Sequence, residues 1–224
     1  MGHAVGLSLP VAVGVLISPM PIVAVVLMLV SQRARANGLA FLAGWVVGIA
    51  VVGTVVVLLV GGAMEDDGSG PPTWASILKL VLGVLLLLLA VKQWTGRPAD
   101  GETAPTPGWM SAIDSFTPVK AFGLAAGLGA VNPKNLLLVV AGATTIAQAA
   151  PERGQQLGAL AVFVVVASLG VASPVVVYLS MGTRAAQILQ RLKTWLIANN
   201  ATVMSVLLLV IGAKMLGDAI SGLA

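Results

Sequence analysis

Two proline motifs interrupt runs that are otherwise apolar enough to cross a bilayer. They are Ser18-Pro19-Met20-Pro21 in the first run and Asn132-Pro133-Lys134-Asn135 in the fourth. Proline lacks the backbone donor and clashes with the carbonyl four residues back, so each motif is expected to break or kink its helix. In hydrocarbon a freed carbonyl is costly unless it faces protein or a water-lined cavity. Two broken helices at matching places in two halves point to an inverted-repeat transporter with its site between them.

The rest of the chain fits that frame. It is 224 residues long, 58% hydrophobic and 9% charged, with a mean hydropathy of +1.02. A soluble domain carries roughly 25% charged residues, so this is read as an integral membrane protein. The 12 Lys+Arg and 8 Asp+Glu are too evenly scattered to suggest nucleic acid. There is no cysteine and one histidine, His3. Thiol chemistry, thiolate metal sites and histidine clusters are therefore excluded. Met1 to Val30 has no positive n-region and is too long for a signal h-region, so it reads as a retained first membrane helix.

A spanning helix needs about 20 mostly apolar residues. Six segments qualify: Val5–Val30, Leu39–Ala63, Trp74–Trp94, Ala121–Ala147, Leu157–Met181 and Ala201–Leu223. The expected fold is all-α, with six transmembrane helices arranged as two inverted three-helix repeats and helices 1 and 4 broken by proline. Residues 1–95 form the first repeat, 96–117 a polar cytoplasmic linker and 118–224 the second repeat. Orientation follows Lys/Arg in the short loops. Loop one holds Arg33 and Arg35, and loop five holds Arg184, Arg191 and Lys193. Loop two, Glu65–Pro72, is acidic. Loops one, three and five are thus expected inside and both termini outside, in a multi-pass protein of the bacterial plasma (inner) membrane. Three helices per half make the second half enter inverted. Pro19 pairs with Pro133, and Leu87–Lys92 pairs with Leu209–Lys214. The segment Gly182–Asn200 is expected to be either a short amphipathic helix or a plain surface loop.

Lys134 is the residue with most to say about chemistry. A charge deep in a membrane costs at least about 2.5 kcal/mol and usually faces the bundle interior or a pathway. Here it lies between Asn132 and Asn135, whose amides can partner freed backbone. One reading is a site for an anionic group, or a gate. The other is a lysine snorkelling to the headgroups. Lys92 and Lys214, near helix ends, read as snorkelling. Asp114 precedes the fourth span and Asp218 lies near the end of the sixth; no carboxylate is expected at mid-membrane. That argues against a dedicated metal-cation pathway. Gly44 and Gly48, and Gly123 and Gly127, make GxxxG pairs suited to close packing inside the bundle, with a homodimer seam as the alternative. Ser173-Pro174 is expected to break or kink the fifth helix, with serine re-satisfying the freed carbonyl. The tryptophans Trp45, Trp74, Trp94, Trp109 and Trp195 read as interface anchors. No catalytic constellation is visible, so an enzyme is not expected.

The motifs Pro19-Met20-Pro21 and Asn132-Pro133-Lys134 resemble those of the lysine-exporter (LysE) superfamily. The stretches Ser18–Ile22, Asn37–Trp45 and Ala130–Leu137 are similar to its Gap/Sap branch, the peptidoglycolipid- and sulfolipid-addressing proteins of mycobacteria and relatives. That resemblance covers nearly the whole chain. It implies export or addressing of a cell-envelope glycolipid across the plasma membrane, without cofactor or ATP site. Amino-acid exporters of the superfamily typically carry Pro-Gly-Pro, whereas Met20 stands here in place of glycine. The expected substrate site lies between the first and fourth helices, lined by Pro19, Met20, Pro21, Asn132, Pro133, Lys134 and Asn135. The expected partners are membrane lipids and an anionic or amphipathic lipid cargo. Small-solute efflux and a non-transporting scaffold for lipid synthesis are the two alternative functions.

Overall fold

The computed structural model describes residues 1–65, 73–97 and 115–223. Among these the chain is helical throughout, without strands. Most of the acidic second loop and of the linker between the halves, with Trp109 and Asp114, lies outside the described residues. The helices are α1 (Gly2–Leu16), α2 (Pro19–Leu29), α3 (Ala34–Glu65), α4 (Thr73–Thr95), α5 (Pro118–Ala130), α6 (Pro133–Ala149), α7 (Arg153–Met181) and α8 (Ala186–Leu223). A single 3-10 turn, Gly182–Ala185, joins the last two.

Both proline motifs fall where the chain bends. Pro19 opens α2 and Pro133 opens α6, the first helical position at which a missing N–H costs nothing. The α1–α2 bend is 51° and the α5–α6 bend 61°. Four helices (α3, α4, α7, α8) are long and apolar enough to span a bilayer, and six spans result if each bent pair counts as one.

Proline at 174 behaves differently. It sits inside α7, which continues unbroken to Met181. The carbonyl it leaves free is that of Gly170, and the Ser173 hydroxyl donates to that oxygen at 3.3 Å. Serine repairs the ladder, so the break expected here is absent.

Small residues set the packing. A Cβ on Gly48 would stand 2.8 Å from the Ala126 carbonyl oxygen, and one on Gly44 would collide with the Phe122 backbone. This α3 pair therefore seats α5 within the bundle, the internal use of GxxxG. A Cβ added to Gly123 or Gly127 would meet nothing within 4 Å, so their pair plays no part in that seam. Gly83 on α4 and Gly212 on α8 form another close crossing, where a Cβ added to either would stand 3.1 Å from the other's carbonyl oxygen. Trp45 is fully buried, packed near Gly129, rather than anchoring an interface. The missing side chain at Gly129 of α5 leaves room for its indole. Trp74, Trp94 and Trp195 are exposed, as interface anchors require.

The stretch after the 3-10 turn is helical but not separate. α8 runs through it and through the last apolar segment as one helix of 38 residues. At 1.5 Å per residue that is about 57 Å, far beyond a hydrocarbon core of about 30 Å. Leu196 of this extension packs with Ile22 and Val23 of α2.

Candidate functional site

The two breaks are built differently. At the first, Ile17 N–H reaches the Val13 carbonyl at 3.0 Å and Ser18 N–H the Val15 carbonyl at 3.1 Å. No side chain caps it. Ser18, Pro19 and Pro21 are buried and Met20 is half-buried. α7 closes over it, since a side chain at Gly170 would collide with the Leu16 carbonyl. Irregular backbone at membrane depth is tolerable here because protein covers it.

The second break is held by its two asparagines. Val131 and Asn132 N–H both donate to the Gly127 carbonyl, at 2.9 and 3.1 Å. That leaves the Leu128 carbonyl open, and the Asn135 side-chain amide donates to it at 2.9 Å. Asn132 Oδ1 accepts the Lys134 N–H at 3.1 Å and so caps α6. One amide finishes α5 while the other starts α6, which is the role their sequence position suggested.

This break opens on a cavity of about 290 Å³ lined by Asn132, Pro133 and Lys134 together with Leu89, Lys92 and Gln93 of α4. Helix geometry explains the meeting. Gln148 Nε2 donates to the Ala75 carbonyl at 3.2 Å, tying the end of α6 to the start of α4. Going back 14 residues along α6, or on 17 along α4, travels about 21 and 26 Å. Lys134 and Lys92 therefore arrive at the same end.

The cavity is rich in donors and positive charge. Lys134 is half-buried and, among the described residues, has no hydrogen-bond or ion-pair partner. Lys92 is exposed and likewise unpaired. Gln93 Nε2 is buried without a partner. The amino end of α6 adds its partial positive charge. Among the described residues no carboxylate lines the space. Such a pocket is suited to a sulfate, phosphate or carboxylate.

Of the residues singled out from sequence, Asn132, Pro133 and Lys134 share this cavity. Asn135 lies behind it as a buried brace. Pro19, Met20 and Pro21 do not line it; α4 supplies the facing wall. Sequence reasoning missed Gln93 and gave Lys92 only a snorkelling role. It also passed over Lys79, a lone charge in an apolar run and thus a visible signal. Lys214 is not a free snorkelling group either: it pairs with Asp218 at 2.6 Å. Among the described residues no cluster of His, Cys, Asp and Glu is built to hold a metal.

The family model described as SfLAP, "Sap, sulfolipid-1-addressing protein", matches residues 9–221, nearly the whole chain. No curated protein and no solved structure matches.

Proposed function

Because the chain belongs to the Sap, sulfolipid-1-addressing protein family, we propose that it carries an anionic envelope lipid across the plasma membrane. The observation that carries this reading is the cationic cavity at the broken helix, where Lys134 stands without a carboxylate partner among the described residues. The lipid headgroup docks at Lys134, Lys92, Gln93 and the start of α6. A zwitterionic amino acid, the cargo of the small-solute alternative, also needs a carboxylate for its ammonium, and the described residues of this cavity offer none. The apolar groove of about 420 Å³ on the neighbouring face of α4, lined by Ala90, Val91, Trp94, Ser205, Val206 and Leu209, suits an acyl chain beside the headgroup. The reaction is translocation, with no bond made or broken.

The architecture in this proposal is six spans in two inverted repeats, within the lysine-exporter superfamily. Its support is the α4–α8 crossing. Equivalent residues of inverted repeats meet on the two-fold axis, and Gly83 meets Gly212. The flanking sequences agree: Ser76-Ile77-Leu78-Lys79-Leu80-Val81-Leu82-Gly83 aligns with Ser205-Val206-Leu207-Leu208-Leu209-Val210-Ile211-Gly212. In this register residues 129 apart are equivalent, against 122 for a Lys92–Lys214 pairing, a shift of seven residues, or two helical turns. The two lysines are then not counterparts.

The test is surface lipid. A deletion strain carrying Lys134→Gln is expected to lose the surface-exposed envelope glycolipid that the wild-type gene restores, with the variant still inserted and monodisperse. Normal surface lipid in that strain defeats the assignment of the site. Intracellular loss of the same lipid, with synthesis itself reduced, favours the scaffold alternative.

A further inference from the structure

A second group of charges lies at the other end of α4. Ser76, Lys79 and Gly83 share one helical stripe, being three and seven residues apart. Gly83 touches Gly212 and Leu216, and the Ser76 hydroxyl faces Gly222. Lys79 is thereby held against α8 between Leu216 and Gly222, the stretch that contains Asp218. Asp218 already accepts from Lys214 Nζ at 2.6 Å, one turn away on α8, and Lys79 is within electrostatic reach of both. All three are half-buried.

One carboxylate cannot neutralise two ammoniums, so among the described residues the cluster carries an uncompensated positive charge inside a pair of apolar helices. Such a charge is costly at membrane depth and calls for a partner. Ile77 and Val81, on the face of α4 opposite Lys79, and Ile220 of α8 are exposed apolar side chains, so the helix pair that holds the cluster presents its outer faces to the acyl region rather than to open water. Lys79 and Lys92 are 13 residues apart on α4, about 20 Å along its axis. That separates this cluster from the cavity at Lys134.

We propose that Lys79 and Lys214 form a second station for a lipid-borne sulfate or phosphate, with Asp218 as the internal anion that the headgroup displaces. One helix thus offers a cationic stop at each end, and a headgroup leaving one finds the other. The station stands apart from the Lys134 cavity and is testable without it.

The test is binding to purified protein in detergent by native mass spectrometry, with sulfatide and phosphatidic acid as probes. A Lys92→Gln/Lys134→Gln background removes the first station. Lys79→Gln and Lys214→Gln are each expected to weaken lipid binding about tenfold, the scale of one lost charge-assisted contact. Asp218→Asn frees Lys214 and is expected to tighten it severalfold; adding Lys214→Gln cancels that gain. Equimolar inorganic sulfate is expected not to displace the lipid. The proposal fails if Asp218→Asn weakens binding, which would make the cluster a structural brace. It also fails if Lys79→Gln binds like its parent, or if free sulfate displaces the lipid as well as lipid does. Because Asp218→Asn predicts a gain, misfolding cannot imitate the expected result.

Discussion

At the scale of single residues, charge and hydrogen bonding divide the work at the second break. Asn135 is a buried brace whose amide satisfies the Leu128 carbonyl. Asn135→Ala leaves that carbonyl unpaired in the interior, at a cost of about 1–3 kcal/mol. A lower melting temperature in detergent is the expected readout. Asn135→Asp is expected to be at least as harmful, because it replaces the donor with a second acceptor. Lys134 is the opposite case. Its side chain supports no hydrogen bond of the fold, so Lys134→Gln is expected to leave the melting temperature equal or slightly raised, since a desolvated charge disappears. Lys134→Arg is expected to recover little transport, because a planar fork does not replace a compact ammonium. Lys92 now belongs beside Lys134: Lys92→Gln is expected to reduce surface lipid partially. Retained transport in Lys92→Gln, with Lys134→Gln inactive, would restrict the headgroup to the α6 side.

Elements are positioned by what their glycines allow. α3 and α5 run side by side because Gly44 and Gly48 present bare backbone to Phe122 and Ala126. A leucine at Gly48 forces those helices apart and is expected to destabilise the protein by about 1–3 kcal/mol, the usual cost of overpacking. The same substitution at Gly123 meets open space and is expected to change the melting temperature little. Equal losses at the two positions would contradict the packing described. Prolines act through context as much as through chemistry. Pro133 terminates a helix because a capping asparagine precedes it, whereas Pro174 is absorbed because Ser173 repays the lost bond. Ser173→Ala is therefore the change that ought to bend α7 and loosen the buried first break against which Gly170 packs.

For the whole molecule, the loop charges set an expectation for which face meets which side of the membrane. Both termini outside is the orientation favoured by Arg33, Arg35, Arg184, Arg191 and Lys193. The absence of native cysteine makes labelling with an impermeant thiol reagent straightforward. A cysteine at Ser69 is expected to react from outside. Ser31 is buried and donates to the Met28 carbonyl at 2.8 Å, so the inside probe belongs at exposed Gln32. The reverse pattern inverts the topology, and with it the direction of the lipid transport proposed above.

The sequence by itself determined the class of protein and the breakpoints. Apolar length sets which segments are fit to span a bilayer, and a missing N–H marks where a helix stops, so both are local properties readable along the chain. The asparagine caps were legible for the same reason, since their partners lie within seven residues. Tertiary structure decided what faces Lys134. The first proline motif is sealed beneath α7, and the cavity wall comes from Lys92 and Gln93 of α4. It also decided that Trp45 is core and that Lys79 comes within electrostatic reach of Asp218. Each of these depends on which helix packs beside which. That is fixed by glycine crossings whose partners lie 78 residues away for Gly44 and Phe122, and 129 for Gly83 and Gly212. No pattern within a single helix carries that information.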